Sequence, residues 1–153
     1  MLHEHRTTRV TVKPDDSLIV IDIRSQLIAP GHPVSIGPTR HAWFNARLGP
    51  GMGQQYGASL CQGPVPEGQL GPSWHACTAS VGGGHQVTVV MAPDASRQSC
   101  EWYVSPWGVM TANPCRRSAI DIAPHAPPVE LGARLLVMDG APSDDQIEAW
   151  LSN

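Results

Sequence analysis

A chain of 153 residues, 41% hydrophobic and 15% charged, has the length of one domain and enough apolar side chain to bury a core, which excludes ordinary disorder. Ten basic residues against thirteen acidic ones give a net charge of −3, and with Lys13 the only lysine the rest are arginines scattered mostly singly, so a surface that tracks nucleic-acid phosphates is excluded. Fifteen Gly and fifteen Pro predict an unusual share of loop. No apolar run reaches the roughly 20 residues that carry a helix across a bilayer. The opening Met1-Leu2-His3-Glu4-His5-Arg6 lacks the apolar core of a secretory signal, so no membrane partner is expected, and the chain reads as cytoplasmic at synthesis or as a mature form already processed, which leaves its compartment open.

The first predicted element is a β-hairpin. Thr7 to Val12 is rich in β-branched residues, Pro14-Asp15-Asp16-Ser17 is turn chemistry, and Leu18 to Arg24 is a second strand with Ile19, Ile21 and Ile23 on its core face. His41 to Leu48 fits either two helical turns or a short strand. Gly and Pro then recur every few residues through 49–72, an extended loop of a length that small domains seldom carry without a functional reason. Trp74 to Val81 and His85 to Met91 flank Gly82-Gly83-Gly84 as a hairpin, which sets Val81 opposite His85, Ala79 opposite Val87, Cys77 opposite Val89 and His75 opposite Met91. Ser99 to Val104 and Val109 to Thr111 surround the turn Ser105-Pro106-Trp107-Gly108, and Arg117 to Ile122 and Arg134 to Met138 are shorter strands. At 143–151 the period changes to that of a helix: Ser143 and Gln146 form a capping box, and Ile147, Trp150 and Leu151 make one apolar stripe. The expected architecture is a single β-rich domain over 1–153, with antiparallel hairpins in a sandwich or open barrel and one short C-terminal helix.

Catalytic and metal chemistry is thinly represented. His75-x-Cys77 puts an imidazole and a thiol on one strand face, ligand types that zinc prefers, with Cys100, Cys115 or His125 as further donors. No pair has the spacing of a zinc knuckle, so no metal or cofactor is expected, and buried cysteines with a hydrogen-bonded histidine are. Four cysteines without a C-x-x-C pair leave one disulfide and buried thiols both open. His85 lies along the hairpin about 13 Å from Cys77, too far to act as its base. His3-Glu4-His5 reads as a frayed, solvated end. P-loop, dinucleotide and nucleophile-elbow motifs are absent from the sequence.

The run Leu18-Ile19-Val20-Ile21-Asp22-Ile23-Arg24-Ser25-Gln26-Leu27 resembles the first strand of isochorismatase-like hydrolases, in which an Asp ends a buried strand and assists a cysteine nucleophile. The resemblance implies an α/β fold and a small hydrolase. The family pattern adds a Lys after this strand and a Cys near a late helix, whereas here Lys13 precedes the strand and no cysteine follows Cys115. Asp22 is therefore expected to pair with Arg24 or another surface Arg.

Five Trp against a single Phe is the remaining signal. Trp102, Tyr103 and Trp107 cluster around one turn, and alternate strand positions cannot share a core face, so at least one is expected to face outward. Together with Gly51, Met52, Gly53 and Tyr56 of the Gly/Pro-rich segment they are the expected partner contacts. The function expected from these features is that of a non-enzymatic structural or assembly protein. Its partners would be copies of itself or other protein subunits of a particle, a virion being one example, with neither nucleic acid nor membrane. A small Cys/His or isochorismatase-like hydrolase is the alternative, and a carbohydrate-binding β-module using Trp102 and Trp107 the second.

Overall fold

A computed structural model of the chain describes residues 1–14, 17–39, 43–49, 52, 60–62, 70–71, 74–94, 100–105 and 107–152, with the backbone alone at 60–62 and 70–71. β1 (His3–Val12) and β2 (Leu18–Ile28) pair antiparallel from His3 opposite Ile28 to Val12 opposite Ile19, the expected hairpin, with Asp15 and Asp16 of its turn outside the described residues. His3-Glu4-His5 is solvated as expected, yet it is paired in this ladder rather than frayed. The next elements are short: β3 (Val34–Ile36), β4 (Phe44–Arg47), β5 (Leu60–Gln62) and β6 (Leu70–Gly71). Of His41 to Leu48, Phe44–Arg47 is strand and residues 41–42 lie outside the described residues, and the 49–72 segment contains two strands where only loop was expected.

β7 (His75–Val81) and β8 (His85–Pro93) form the glycine-linked hairpin in the register that the sequence implies, residue for residue. The tight connection requires positive φ at Gly83 and Gly84, 80° and 82°, a region that side-chain-bearing residues avoid. Thr88 donates its one hydroxyl proton to the Gly140 carbonyl at 2.6 Å, so the 2.7 Å contact between Thr78 and Thr88 has Thr78 as donor. The remaining elements are β9 (Cys100–Val104), β10 (Val109–Asn113), β11 (Ile120–Ile122), β12 (Val129–Asp139) and α1 (Asp144–Leu151). The Ser143 hydroxyl accepts from the Gln146 amide while the Gln146 side chain accepts from the Ser143 amide, the expected capping box.

Among the described residues the strands form a six-stranded sheet in the order β1-β2-β12-β8-β7-β5, a four-stranded sheet β4-β10-β9-β6 and the pair β11-β3. The fold is mainly β, antiparallel and sandwich-like, without a closed barrel. This overturns the α/β fold implied by the isochorismatase-like strand. Between the two larger sheets lies a core of Leu27, Met91, Leu131 and Ala133 against Phe44, Trp102, Met110 and Ala112, extended by Ile120 and Ile122. A second cluster covers part of the other face of the six-stranded sheet, where Ile147 of α1 packs on Leu18, Val20, Val90, Leu136 and Met138. Because of this helix Leu18 and Val20 are more deeply buried than Ile19, Ile21 and Ile23, and the expected core face of β2 is only one of two covered faces.

Candidate functional site

β1 is a ten-residue strand with every residue exposed, and among the described residues β2 is its only strand partner. Its inner-face side chains are anchored all the same. Glu4 accepts from Arg6 and from the buried Ser25 hydroxyl, both at 2.7 Å, and the Arg6 guanidinium lies 5.9 Å above the Trp43 ring. The Lys13 amide donates to the Leu18 carbonyl at 2.9 Å, which fixes the phase of the ladder. Hydrogen-bonded and non-hydrogen-bonded pairs alternate in antiparallel sheets, so the odd-numbered backbone groups of β1 face β2. Those of Glu4, Arg6, Thr8, Val10 and Val12 project from the free edge. Val10 and Val12 are also exposed apolar side chains, at 60% and 52%.

The second surface is built on the outer side of the four-stranded sheet. Alternation along β9 sends Cys100 and Trp102 into the core and turns Glu101 and Tyr103 the other way. Trp107, 53% exposed, sits with its ring 6.4 Å from Tyr103, and the Arg116 guanidinium lies 6.0 Å over the Tyr103 ring. Arg116 and Arg117 both bind the carboxylate of Glu101, which is only 4% exposed. Thr111 donates to Asn45 at 2.6 Å beside Tyr103. Of the expected contact residues, Trp107 presents a surface, Tyr103 is 6% exposed beneath it, and Trp102 and Met52 are core side chains at 1% and 4%. Trp102 is thereby removed as a contact or sugar-stacking residue. Gly51, Gly53 and Tyr56 lie outside the described residues.

His75 is buried with its ring 5.6 Å from Trp102, but both ring nitrogens lack a hydrogen-bond partner among the described residues. The expectation of a satisfied core histidine therefore fails on hydrogen bonding, while its burial stands. Among the described residues no three His, Cys, Asp or Glu side chains gather as metal ligands. Asp22 is bound by Arg134 at 2.7 Å, an interaction that selects Arg134 over Arg24. It lies on the helix-covered side of the six-stranded sheet, whereas Cys77 belongs to the core on the opposite side, so the two cannot act together.

Residues 1–152 match the model of DUF6807, described as a family of unknown function. The chain belongs to this family. No curated protein and no solved structure matches it. In this DUF6807 chain no helix among the described residues is long and apolar enough to cross a membrane.

The buried cysteines give a solution signature. Burial, reinforced by the neighbouring Cys115, pushes the Cys100 thiol up to about 12, and burial raises Cys115 as well. A raised value in the folded state means that folding favours the protonated thiol. The associated stability is complete below the ordinary value of 9.0 and is lost as pH climbs through about 12. The urea midpoint is expected to fall across that window, and less steeply in Cys100→Ala. Near neutrality Cys100 is expected to resist Ellman's reagent until denaturant is added; equal rates in both conditions would contradict its burial.

Proposed function

We propose that this domain is a non-enzymatic assembly protein that joins neighbouring copies of itself by pairing at the free edge of β1. The observation that carries this reading is the ten-residue exposed edge strand with five outward backbone positions. Soluble proteins ordinarily shorten, bulge or cover such an edge because it templates pairing with another chain. Two copies laid antiparallel and centred on Thr8 set Thr8 against Thr8, Arg6 against Val10, Glu4 against Val12, Thr7 against Arg9 and His5 against Thr11. No like charges stand directly opposite each other in that register, and Thr–Thr pairs favour sheet formation. The exposed Trp107 beside Tyr103 and Arg116 supplies a second contact patch of the aromatic and arginine composition common at interfaces. Repeated use of both surfaces is what a multi-subunit particle requires, and a virion is one such particle.

Light scattering is expected to find species larger than a monomer, with the amides of Arg6, Thr8 and Val10 protected from hydrogen exchange. Thr8→Pro removes an outward donor without taking a bond from the β1–β2 ladder, and it is expected to return the chain to a monomer with its fold intact. A wild-type chain that stays monomeric at every concentration, with those amides exchanging freely, would refute the edge-pairing role.

A further inference from the structure

The side of the six-stranded sheet that carries α1 is only partly covered by it. The odd-numbered side chains of β1 stand there beside Asp22, Arg24 and Gln26 of β2 and Glu130, Gly132 and Arg134 of β12. The Leu151 carbonyl accepts from Arg134 at 3.1 Å and holds the end of the helix beside these rows. Two hollows open along them. One, of about 230 Å³, lies among Arg9, Thr11, Lys13, Asp22, Arg134 and Trp150. The other, of about 170 Å³, is lined by His5, Thr7, Arg24, Gln26, Asp94 and Glu130. Thr7 and Arg9 are successive residues on this face, so the hollows adjoin as one trough. Gly132 keeps its floor open: a Cβ at that position would start 3.1 Å from the Cβ of Asp94.

The two ends of the trough differ in chemistry. At the first, three cations face one carboxylate, and that carboxylate is already engaged by Arg134. Arg9 and Lys13 have no ion-pair partner among the described residues, so their charge is available to a ligand anion. Trp150, part-buried against the helix-side core, adds a flat apolar wall. The second end mixes donors and acceptors, with Gln26 donating to Glu130 at 3.1 Å, which suits an array of hydroxyl groups rather than a second charge. Each hollow is smaller than the roughly 300–1,000 Å³ of pockets for drug-sized ligands, a scale that fits one ring apiece.

We propose that the trough binds an acidic oligosaccharide. Arg9 and Lys13 hold the carboxylate or sulfate of one ring, Trp150 stacks on that ring, and His5, Thr7 and Gln26 bind hydroxyls of the next. The odd-numbered side chains of β1 carry this site and the even-numbered backbone groups carry edge pairing, so either property can fail without the other.

The test is calorimetric titration of the full chain with oligogalacturonate, a heparin-derived oligosaccharide, a neutral maltooligosaccharide and poly-glutamate. Binding of one or both acidic sugars is expected, with oligogalacturonate and the heparin fragment telling carboxylate from sulfate recognition, and with the neutral sugar at least tenfold weaker by loss of the charge-assisted bonds. Arg9→Gln and Lys13→Gln are each expected to weaken acidic-sugar binding by about tenfold or more. Arg47→Gln, the same charge change at the exposed last residue of β4 in the other sheet, should leave it unaltered. Trp150→Phe should weaken binding and abolish any ligand-dependent fluorescence change. The proposal is overturned if neither acidic sugar binds, if the Arg9 and Lys13 variants bind like wild type, or if poly-glutamate binds as tightly as the sugars.

Discussion

Trp102→Ala is expected to destabilise the domain by about 3–5 kcal/mol, the range for removing a large aromatic from a packed core. Trp102 is 1% exposed, sits between the two larger sheets and forms the ring partner of His75. Its loss opens a cavity and leaves a buried imidazole without its aromatic neighbour. For a domain of this length each kcal/mol moves the melting temperature by about 2–4 °C, so a drop on the order of 10 °C should appear in a thermal melt. Trp102→Phe separates volume from polarity. The indole N–H has no hydrogen-bond partner among the described residues, so phenylalanine forfeits no bond and removes an unsatisfied donor. It is expected to recover at least half of the loss. A variant pair in which Phe and Ala were equally harmful would show that the indole nitrogen matters more than the space it fills.

The second large effect belongs to Glu101, next along β9 and on the opposite face. Its carboxylate is 4% exposed and shared by Arg116, at 3.1 Å, and Arg117. Removing the carboxylate leaves the part-buried Arg116 guanidinium without its partner while Arg117 stays in water, and Glu101→Ala is expected to cost about 1–3 kcal/mol. The two arginines should not contribute equally. The Arg117 side chain is 64% exposed and its pairing is screened by water, so Arg117→Ala is expected to cost about 1 kcal/mol or less. The Arg116 side chain is 24% exposed and also covers Tyr103, so Arg116→Ala should cost clearly more. Denaturant titrations of Glu101→Leu, Arg116→Leu and the double variant provide the decisive comparison. The double variant should be less damaged than the sum of the two singles, because removing both charges leaves neither buried alone. Additive costs would mean that the pair does not interact.

Local pattern made some of this legible and topology hid the rest. Three glycines between two β-branched runs admit one tight hairpin, and β7–β8 has the implied register at every pair named. Ser143 and Gln146 specify the start of a helix by chemistry confined to one turn, and that too is found in place. β12 illustrates the opposite case. Its eleven residues include Gly132 and Arg134, which interrupt any simple alternation, and the sequence suggested only Arg134 to Met138. What extends the strand is pairing on both sides, to β2 more than a hundred residues earlier and to β8. Periodicity within a window carries no trace of such partners. The same limit applies to the candidate surfaces. Alternation predicted that the Trp102–Trp107 region must show two faces, but burial of Tyr103 and Glu101 on the outer face depends on Arg116 and Arg117, which come from beyond β10. The trough is assembled from β1, β2, β12 and α1, and only the order of strands brings Arg9 and Trp150 together.

The place of β12 in the six-stranded sheet also bears on how the chain is made. β1–β2 and β7–β8 are hairpins of neighbouring strands and can close as soon as they leave the ribosome, while among the described strands it is β12 that joins them. Until residues 129–139 have been synthesised, β2 and β8 each offer an unpaired edge with its apolar face uncovered, the condition under which nascent chains pair with one another. The last strand is therefore the keystone of the sheet, and it joins the two hairpins through pairings over long sequence separation, the kind of contact that slows folding. A chaperone that shields these two edges during synthesis would act on the most vulnerable interval in the life of this protein.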